Sequence, residues 1–317
     1  MQILLAALRA CAEPTRLRLI ALAARGAFCV VEFTEILGQS QPRLSRHLRL
    51  LCDAGVLERV REGANMWFTL PGTPTGALAR DLLARLPGDD PVLEADRRQA
   101  ARVLAERARI ASESFRRQGA DWDEMRALNL PAAAVEQALL DAVGERPGRL
   151  LDIGAGTGRL LELLAPRVDS ALGIDASRAM LALARSRLAK PELAHCAVRQ
   201  ADMYRLPLSA GGFDTVVMQM VLHYAEDPAA ALAEAARMLR PGGRLIVIDL
   251  APHDRSDLTE RLAHRWPGFT DAAMVTLLGQ AGLAPETAAT VPGPLDIRLW
   301  PALPVADPVL APEKEFA

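Results

Sequence analysis

The chain has 317 residues, 50% apolar and 24% charged, a length and balance that suit a folded protein with two cores and exclude a disordered or fibrous one. The formal net charge of −2 is uneven: residues 1–85 hold 11 Arg against 7 acidic residues, a net of +4 that leaves −6 for the rest. A locally basic amino-terminal segment on an acidic whole points to an anionic partner for that segment. Lys occurs only at 190 and 314, and the four cysteines, Cys11, Cys29, Cys52 and Cys196, form no CxxC pair. Scattered cysteines predict reduced thiols in a cytoplasm, not a disulfide frame. The opening residues lack a basic region and are interrupted by Arg9 and Glu13, so no signal peptide is expected. No run reaches the roughly 18 apolar residues of a membrane helix, so no membrane partner is expected.

In chain order, residues 1–70 read as short helices followed by a hairpin. Glu32–Leu37 predicts one helix, Gly38 a turn, and residues 41–54 a second helix with Pro42 in its first turn. Leu44, Leu48 and Leu51 are spaced at four and three, so one stripe of that helix faces a core. Its opposite face carries Arg43, Ser45, Arg46, His47 and Arg49, with Ser40 and Gln41 at its start, and Gly55 suits a C-cap. Residues 56–61 and 66–70 then predict two strands about a turn at 62–65. This is the pattern of a winged helix-turn-helix, whose second helix enters the major groove and reads bases with residues near its start. The DNA-contacting set is therefore Ser40, Gln41, Arg43, Ser45, Arg46 and His47, with Arg59 and Arg61 of the wing on phosphates.

Residues 71–90 are rich in Pro, Gly and Asp around a short helix at 75–86, and residues 92–143 read as a helical connector rich in Arg and Ala. From 148 to about 300, apolar strands alternate with amphipathic helices, the mark of a doubly wound sheet. Strands are predicted at 149–153, 170–174, 196–199, 213–218 and 244–250, with a final pair near 285–290 and 295–300. The tail from 304 is Pro-rich and expected to be loose.

The most telling segment is Leu150-Leu-Asp-Ile-Gly-Ala-Gly-Thr-Gly-Arg159, an apolar strand that runs into three alternate glycines and a helix beginning near Thr157. In an open α/β sheet this brings backbone against a nucleoside-bearing ligand at the end of the first strand. The third glycine comes one residue too early for the pyrophosphate fingerprint GxGxxG. Asp175, 21 residues after Gly154, ends the next strand, where a carboxylate accepts from both ribose hydroxyls. These two features leave both NAD and S-adenosylmethionine open. Asp202 and Met203 end the third strand, where an acid beside an apolar residue suits an adenine amino group and ring.

With Leu151–Gly158, Gly173-Ile-Asp175, Ala201-Asp-Met203, Val221–Pro228 and Leu239-Arg-Pro-Gly-Gly243 in this order, residues 121–300 resemble the class I S-adenosylmethionine-dependent methyltransferases, in particular the branch similar to ubiquinone and menaquinone methyltransferases. The resemblance implies that Asp152, Gly154, Gly156 and Gly158 line the methionine end of the cofactor, that Asp175 holds its ribose, and that Asp202 and Met203 hold its adenine. It places Gln219 near the sulfonium. His223 and Tyr224 are the candidate catalytic pair, as proton acceptor and as ring face for the cation, with packing of the following cap as the alternative. The Asn/Asp-Pro-Pro-Tyr/Phe motif of enzymes that methylate base amino groups is absent after the fourth strand. Cys196 alone in this domain does not suit arsenite chemistry. The segment His264–Phe269 is expected over the cleft, reading a substrate or capping the sheet.

Residues 4–86 resemble the ArsR/SmtB family of bacterial repressors through Gln39–Leu57 and Arg61-Glu-Gly63. The resemblance implies a homodimer on a pseudo-palindromic operator, with dimer contacts from the first helix and the helix at 75–86. Metal-sensing members carry Cys-Val-Cys, where this chain has Cys29-Val-Val31, and the 75–86 helix offers only Asp81, so no metal site is expected.

The expected class is thus α/β: a winged helix-turn-helix and dimerisation domain at 1–86, a connector at 87–143, a Rossmann-like methyltransferase sheet with an antiparallel last strand at 144–303, and a tail at 304–317. The expected function is a cytoplasmic DNA-binding transcriptional regulator. Its fused domain is expected to bind S-adenosylmethionine or S-adenosylhomocysteine as a sensor, and the sequence leaves open whether it also acts as an enzyme on a small-molecule methyl acceptor. The alternative is a small-molecule methyltransferase whose winged helix serves mainly for dimerisation.

Overall fold

The computed structural model describes residues 1–62, 65–117, 128, 130–255 and 264–305. The chain divides into two compact units: Met1–Arg117 with Arg178–Gln200, and Gln118–Ser177 with Ala201–Ala317. Parts of the expected wing turn (63–64), connector (118–127 and 129) and tail (306–317) lie outside the described residues. No helix among the described residues is long and apolar enough to cross a membrane.

The first unit begins with α1 (Gln2–Cys11) and α2 (Pro14–Ala23), then β1 (Phe28–Cys29), α3 (Val30–Leu37) and α4 (Gln41–Asp53). The hairpin β2 (Glu58–Glu62) and β3 (Asn65–Thr69) follows, and then α5 (Pro74–Leu83) and α6 (Pro91–Arg117). Local chemistry explains these limits. The Glu13 carboxylate accepts from Arg16 N at 2.8 Å and caps α2. Cys29 and Glu32 form a capping box, so α3 starts two residues before the point its apolar pattern predicts. Gly38, at φ 63°, ends α3 in the left-handed region that favours glycine. Val56 and Leu57 are buried in the core, which delays the hairpin to Glu58.

β3 lies between β1 and β2, all antiparallel. Beneath it, Leu19, Phe28, Phe33, Leu44, Leu48 and Leu51 form a core with almost no exposure, joined by Ala100, Val103 and Leu104 of α6. Two ion pairs fix α6 to this core. Arg18 donates to both oxygens of the buried Asp96 at 2.6 Å. Arg107 donates to Glu32 at 2.9 Å from Nε, and its guanidinium lies 4.7 Å from the ring centroid of Trp67 on β3.

The second unit contains α7 (Ala132–Val143), β4 (Gly148–Ile153), α8 (Arg159–Leu164) and β5 (Val168–Asp175). The chain then passes through α9 (Arg178–Leu188) and β6 (Cys196–Gln200), which group with the first unit, where α9 packs on α6. It returns as β7 (Phe213–Gln219), α10 (Pro228–Met238), β8 (Leu239–Leu250), α11 (Asp271–Gln280), β9 (Leu283–Pro285), β10 (Ala289–Val291) and β11 (Ile297–Pro304). The strand order within this unit is β10-β11-β8-β7-β4-β5, with β9 also paired to β11. The pairs β4–β5, β4–β7 and β7–β8 are parallel, and β11 runs antiparallel to β8. The fold is therefore the expected mixed α/β sheet with antiparallel last strands.

Leu150, Leu151, Val216, Val217, Ile246 and Val247 have no exposure, as in a parallel sheet covered on both faces. α8 starts at Arg159, not Thr157, because Gly158 at φ 74° forms its N-cap. The expected final strand pair is a group of three, since 283–285 and 289–291 pair separately with β11.

Candidate functional site

The glycine loop follows directly from β4. Gly154, Gly156 and Gly158 have φ of 82°, 51° and 74°, a backbone path open to glycine and strained for other residues. A Cβ on Gly154 would lie 2.7 Å from Val221 Cβ, so the loop presses against the segment leaving β7. Gly154 N and Ala155 N donate to Ile174 O at 2.7 and 2.9 Å. The Asp175 carboxylate closes the arrangement: one oxygen accepts from Gly156 N at 2.8 Å, the other from Ser177 N at 2.7 Å. Burial raises the Asp175 pKa against the lowering effect of these two hydrogen bonds. Each oxygen keeps a lone pair for a further donor.

Asp152 is 2% exposed, and its Oδ2 has no hydrogen-bond partner among the described residues. Burial, reinforced by the charge of Asp175, pushes its carboxyl up to about 8. A buried oxygen without a partner costs about 1–3 kcal/mol, so the position calls for a donor from a ligand.

Asp202 is exposed and Met203 half-buried against the apolar cluster of the unit. Asp202 Oδ1 accepts from Tyr204 N at 3.1 Å, and Ala201 N donates to Asp175 O at 3.3 Å, which ties the two acidic turns together. The Tyr204 hydroxyl accepts from Glu226 N at 2.6 Å. Gln219 is half-buried at the end of β7, opposite Ile248. The next residue, Met220, has φ 51°, the one non-glycine positive φ among the described residues. Backbone strain of this kind collects at functional sites.

After that strained residue, Leu222–Tyr224 form a tight turn. His223 is fully buried, and its Nδ1 lies 2.6 Å from Oδ1 of the equally buried Asp249. Asp249 Oδ2 accepts from Leu222 N and His223 N at 3.0 and 3.2 Å. The Tyr224 and His264 rings stand 4.3 and 4.2 Å from the His223 ring, centroid to centroid. His253 adds a third imidazole whose pKa is lowered by burial, then by the charges of His264 and His223. Arg265 N and Trp266 N donate to His223 O, and Trp266 Nε1 donates to Ala225 O at 2.8 Å. The segment from His264 is thus fastened to the same turn.

Reading the sequence missed Asp249, His253 and His264 as partners of His223. One signal was present: Asp249 is a lone charge inside the apolar run Leu245–Leu250. The histidines, 30 and 41 residues from His223, carried no local pattern.

In the first unit, Leu44, Leu48 and Leu51 face the core while Ser40, Gln41, Arg43, Arg46 and Arg49 are exposed. Arg43, Arg46 and Arg49 follow at intervals of three, which lays a row of guanidiniums along α4. Ser45 is half-buried, and His47 Nδ1 stands 3.7 Å from Glu13 Oε2 with a side chain 15% exposed. Arg59 and Arg61 are both exposed, two residues apart on one face of β2. Cys29 caps α3, and burial raises its thiol pKa.

Residues 151–247 match the family model for a methyltransferase domain, and residues 13–59 match that for bacterial regulatory proteins of the arsR family. A 37.1 kDa protein from transposon TN4556 of Streptomyces fradiae is 37% identical over 197 residues, which make up 56% of this chain and 55% of that protein. A demethylmenaquinone methyltransferase of Beutenbergia cavernae is 40% identical over 116 residues, 36% of this chain and 46% of the relative. The chain spans about half the length of these curated relatives. A chain from the complex between the Haloferax volcanii Trm112 methyltransferase activator and a methyltransferase shares the fold, with a TM-score of 0.51 at 19% identity over 60% of this chain and 96% of that one. An ArsR-family helix-turn-helix and a class I methyltransferase domain are therefore joined in this one chain.

Proposed function

We propose that the protein is a DNA-binding transcriptional regulator whose affinity for operator DNA responds to S-adenosylmethionine or S-adenosylhomocysteine. The observation that carries this reading is the position of residues 178–200. This segment starts three residues after Asp175 and stops two before Asp202, the carboxylates that would hold ribose and adenine. Within the first unit it grips the wing. The Arg185 guanidinium lies 4.2 Å from the Trp67 ring centroid, and Arg199 pairs with Glu58 at 2.8 Å. Trp67 and Glu58 lie on the hairpin that carries Arg59 and Arg61. A ligand that draws on Asp175 and Asp202 acts on both ends of the segment whose middle holds the DNA-contacting wing. Coupling follows when the ligand prefers one of two arrangements of that segment.

In this reading Ser40, Gln41, Arg43, Ser45, Arg46 and His47 face the major groove, and Arg59 and Arg61 face phosphates. Asp152 with Gly154, Gly156 and Gly158 receives the methionine end, Asp175 the ribose, Asp202 and Met203 the adenine, and Gln219 lies toward the sulfonium. The protein acts as a homodimer: Ile3, Leu4, Leu5 and Leu8 on α1 are 74%, 49%, 42% and 37% exposed, an apolar face that a second copy would cover. Its place of action is the cytoplasm.

A second reading, a small-molecule methyltransferase, is favoured by the His223–Asp249 pair. Bound S-adenosylmethionine supplies an electrophilic methyl group. Asp249 fixes the Nδ1 proton of His223, which leaves Nε2 as the basic nitrogen for an acceptor hydroxyl or amine. Tyr224 offers its ring to the cation. The two readings are compatible.

A duplex selected by the protein from a randomised pool should bind with an affinity that changes at least several-fold at saturating S-adenosylmethionine or S-adenosylhomocysteine. The same affinity with and without both ligands would refute the sensor role. The double variant Arg43→Ala/Arg46→Ala should lose most of that affinity and most of the preference for the selected duplex over an unrelated one. Proton linkage at Asp152 provides a separate check. With the cleft empty the carboxyl is protonated below about 8, and an ammonium group requires the carboxylate, so binding releases a proton. Calorimetric affinity for S-adenosylhomocysteine should rise as pH increases from about 6 to about 8, and Asp152→Asn should abolish the rise and weaken binding roughly tenfold at the upper end. For the enzyme reading, release of S-adenosylhomocysteine with quinol or thiol acceptors should fall by about 10²-fold or more in His223→Ala, with cofactor affinity unchanged. An unaltered rate would remove His223 from the chemistry.

A further inference from the structure

The first unit contains a cavity of about 500 Å³ among α2, α5, α6 and the turn at 191–194. Its walls are mainly aliphatic, with Leu22, Leu83, Leu86 and Leu93 among them, and the polar groups at its edge are strongly one-sided. Arg25, Arg80 and Arg97 face it, against a single acid among the lining residues, Asp96. That acid is already engaged, since both its oxygens accept from Arg18 at 2.6 Å. Arg80 reaches Pro71 O and Arg97 reaches Gly88 O at 2.8 Å, neutral acceptors that orient the guanidiniums without balancing their charge. Arg25 has no ion-pair partner among the described residues. It stands just past the carboxyl end of α2, which supplies only a partial negative charge. A second space of about 220 Å³ shares Arg25 and Arg97 and continues toward Phe28, Leu104 and Ala189.

An aliphatic space of this volume with a few convergent polar groups has the character of a small-molecule site. The unbalanced guanidiniums set the sign of its ligand. We propose that this cavity binds an anionic, mainly aliphatic small molecule, with its carboxylate between Arg25 and Arg97 and its apolar body against Leu22, Leu83 and Leu86. The repulsion between the two cations supports the assignment: burial, then the charge of Arg97, lowers the pKa of Arg25, and an anion between them relieves both effects. A bidentate carboxylate suits a guanidinium fork. The site is independent of Asp152, Asp175 and Asp202, and it stands whether or not the cofactor reading holds.

Decanoate is the probe, titrated calorimetrically into the full-length protein, with decanol as its uncharged counterpart. Saturable binding of decanoate with one site per chain is expected, at least tenfold tighter than decanol. Arg25→Gln should weaken decanoate at least tenfold and leave decanol unchanged. Ala84→Trp, at the end of α5 beside the cavity, should weaken both by filling the space. Circular dichroism melting of each variant checks that the fold is retained, and S-adenosylhomocysteine affinity should match the wild type in both. Absence of saturable decanoate binding to the wild type, or equal decanoate affinity in a folded Arg25→Gln variant, would overturn the proposal. Competition between decanoate and S-adenosylhomocysteine for one site would overturn it as well, because the anion would then occupy the cofactor cleft.

Discussion

The cleft depends on one carboxylate. Asp175 accepts from Gly156 N and from Ser177 N, and its own carbonyl accepts from Ala201 N. Three chain segments are thereby held at one residue: the glycine loop after β4, the lead into α9, and the turn that presents Asp202. The glycines suit this closure: Gly154, Gly156 and Gly158 all take positive φ, a path strained for other residues, while Gly154 N, Ala155 N and Gly156 N bond to the end of β5. The cost of closure falls on Asp152. Shielded from water and 23 residues before Asp175, it is left with a buried oxygen that no group among the described residues satisfies. In the proposed reading, a ligand with an ammonium and a ribose answers both carboxylates together.

The same residue connects the cleft to the rest of the chain. α9 begins at Arg178 and belongs by packing to the unit that carries the helix-turn-helix, where Arg185 meets Trp67. Trp67 also carries Arg107, so one indole on the wing bears guanidiniums from two helices, α6 and α9. An aromatic face shared between two cations is sensitive to small displacements of either, since each contact has strength only while the charge stays over the ring. This is a suitable element for a response: local, two-sided and attached to the hairpin that carries Arg59 and Arg61.

Much of this was legible in the sequence where local chemistry decides the structure. The glycine spacing, the Leu44–Leu48–Leu51 stripe with Gly38 and Gly55 at its ends, and the alternation of apolar strands with helices all correspond to elements of the structure. Element limits moved where side chains intervened, as in the early start of α3 set by Cys29 and Glu32 and the late hairpin set by buried Val56 and Leu57. Contacts between distant segments carry no periodic signal. His223 and His264 meet through chain reversal, Arg107 finds Glu32 across 75 residues, and Arg25 and Arg97 line one cavity from separate segments. The grouping of residues 178–200 with the first unit is of the same kind, because α9 reads as an ordinary sheet-covering helix until its partner α6 is known.

The central claim is that the cofactor cleft and the DNA-binding face are linked in free energy. Linkage is reciprocal, so DNA must alter ligand affinity by the factor with which ligand alters DNA affinity. The most direct measurement is calorimetric titration of S-adenosylhomocysteine into the full-length protein, alone and saturated with its selected duplex. The account predicts dissociation constants that differ several-fold between the two, with the difference lost in Trp67→Ala while binding to the free protein persists. Equal dissociation constants with and without DNA would contradict it.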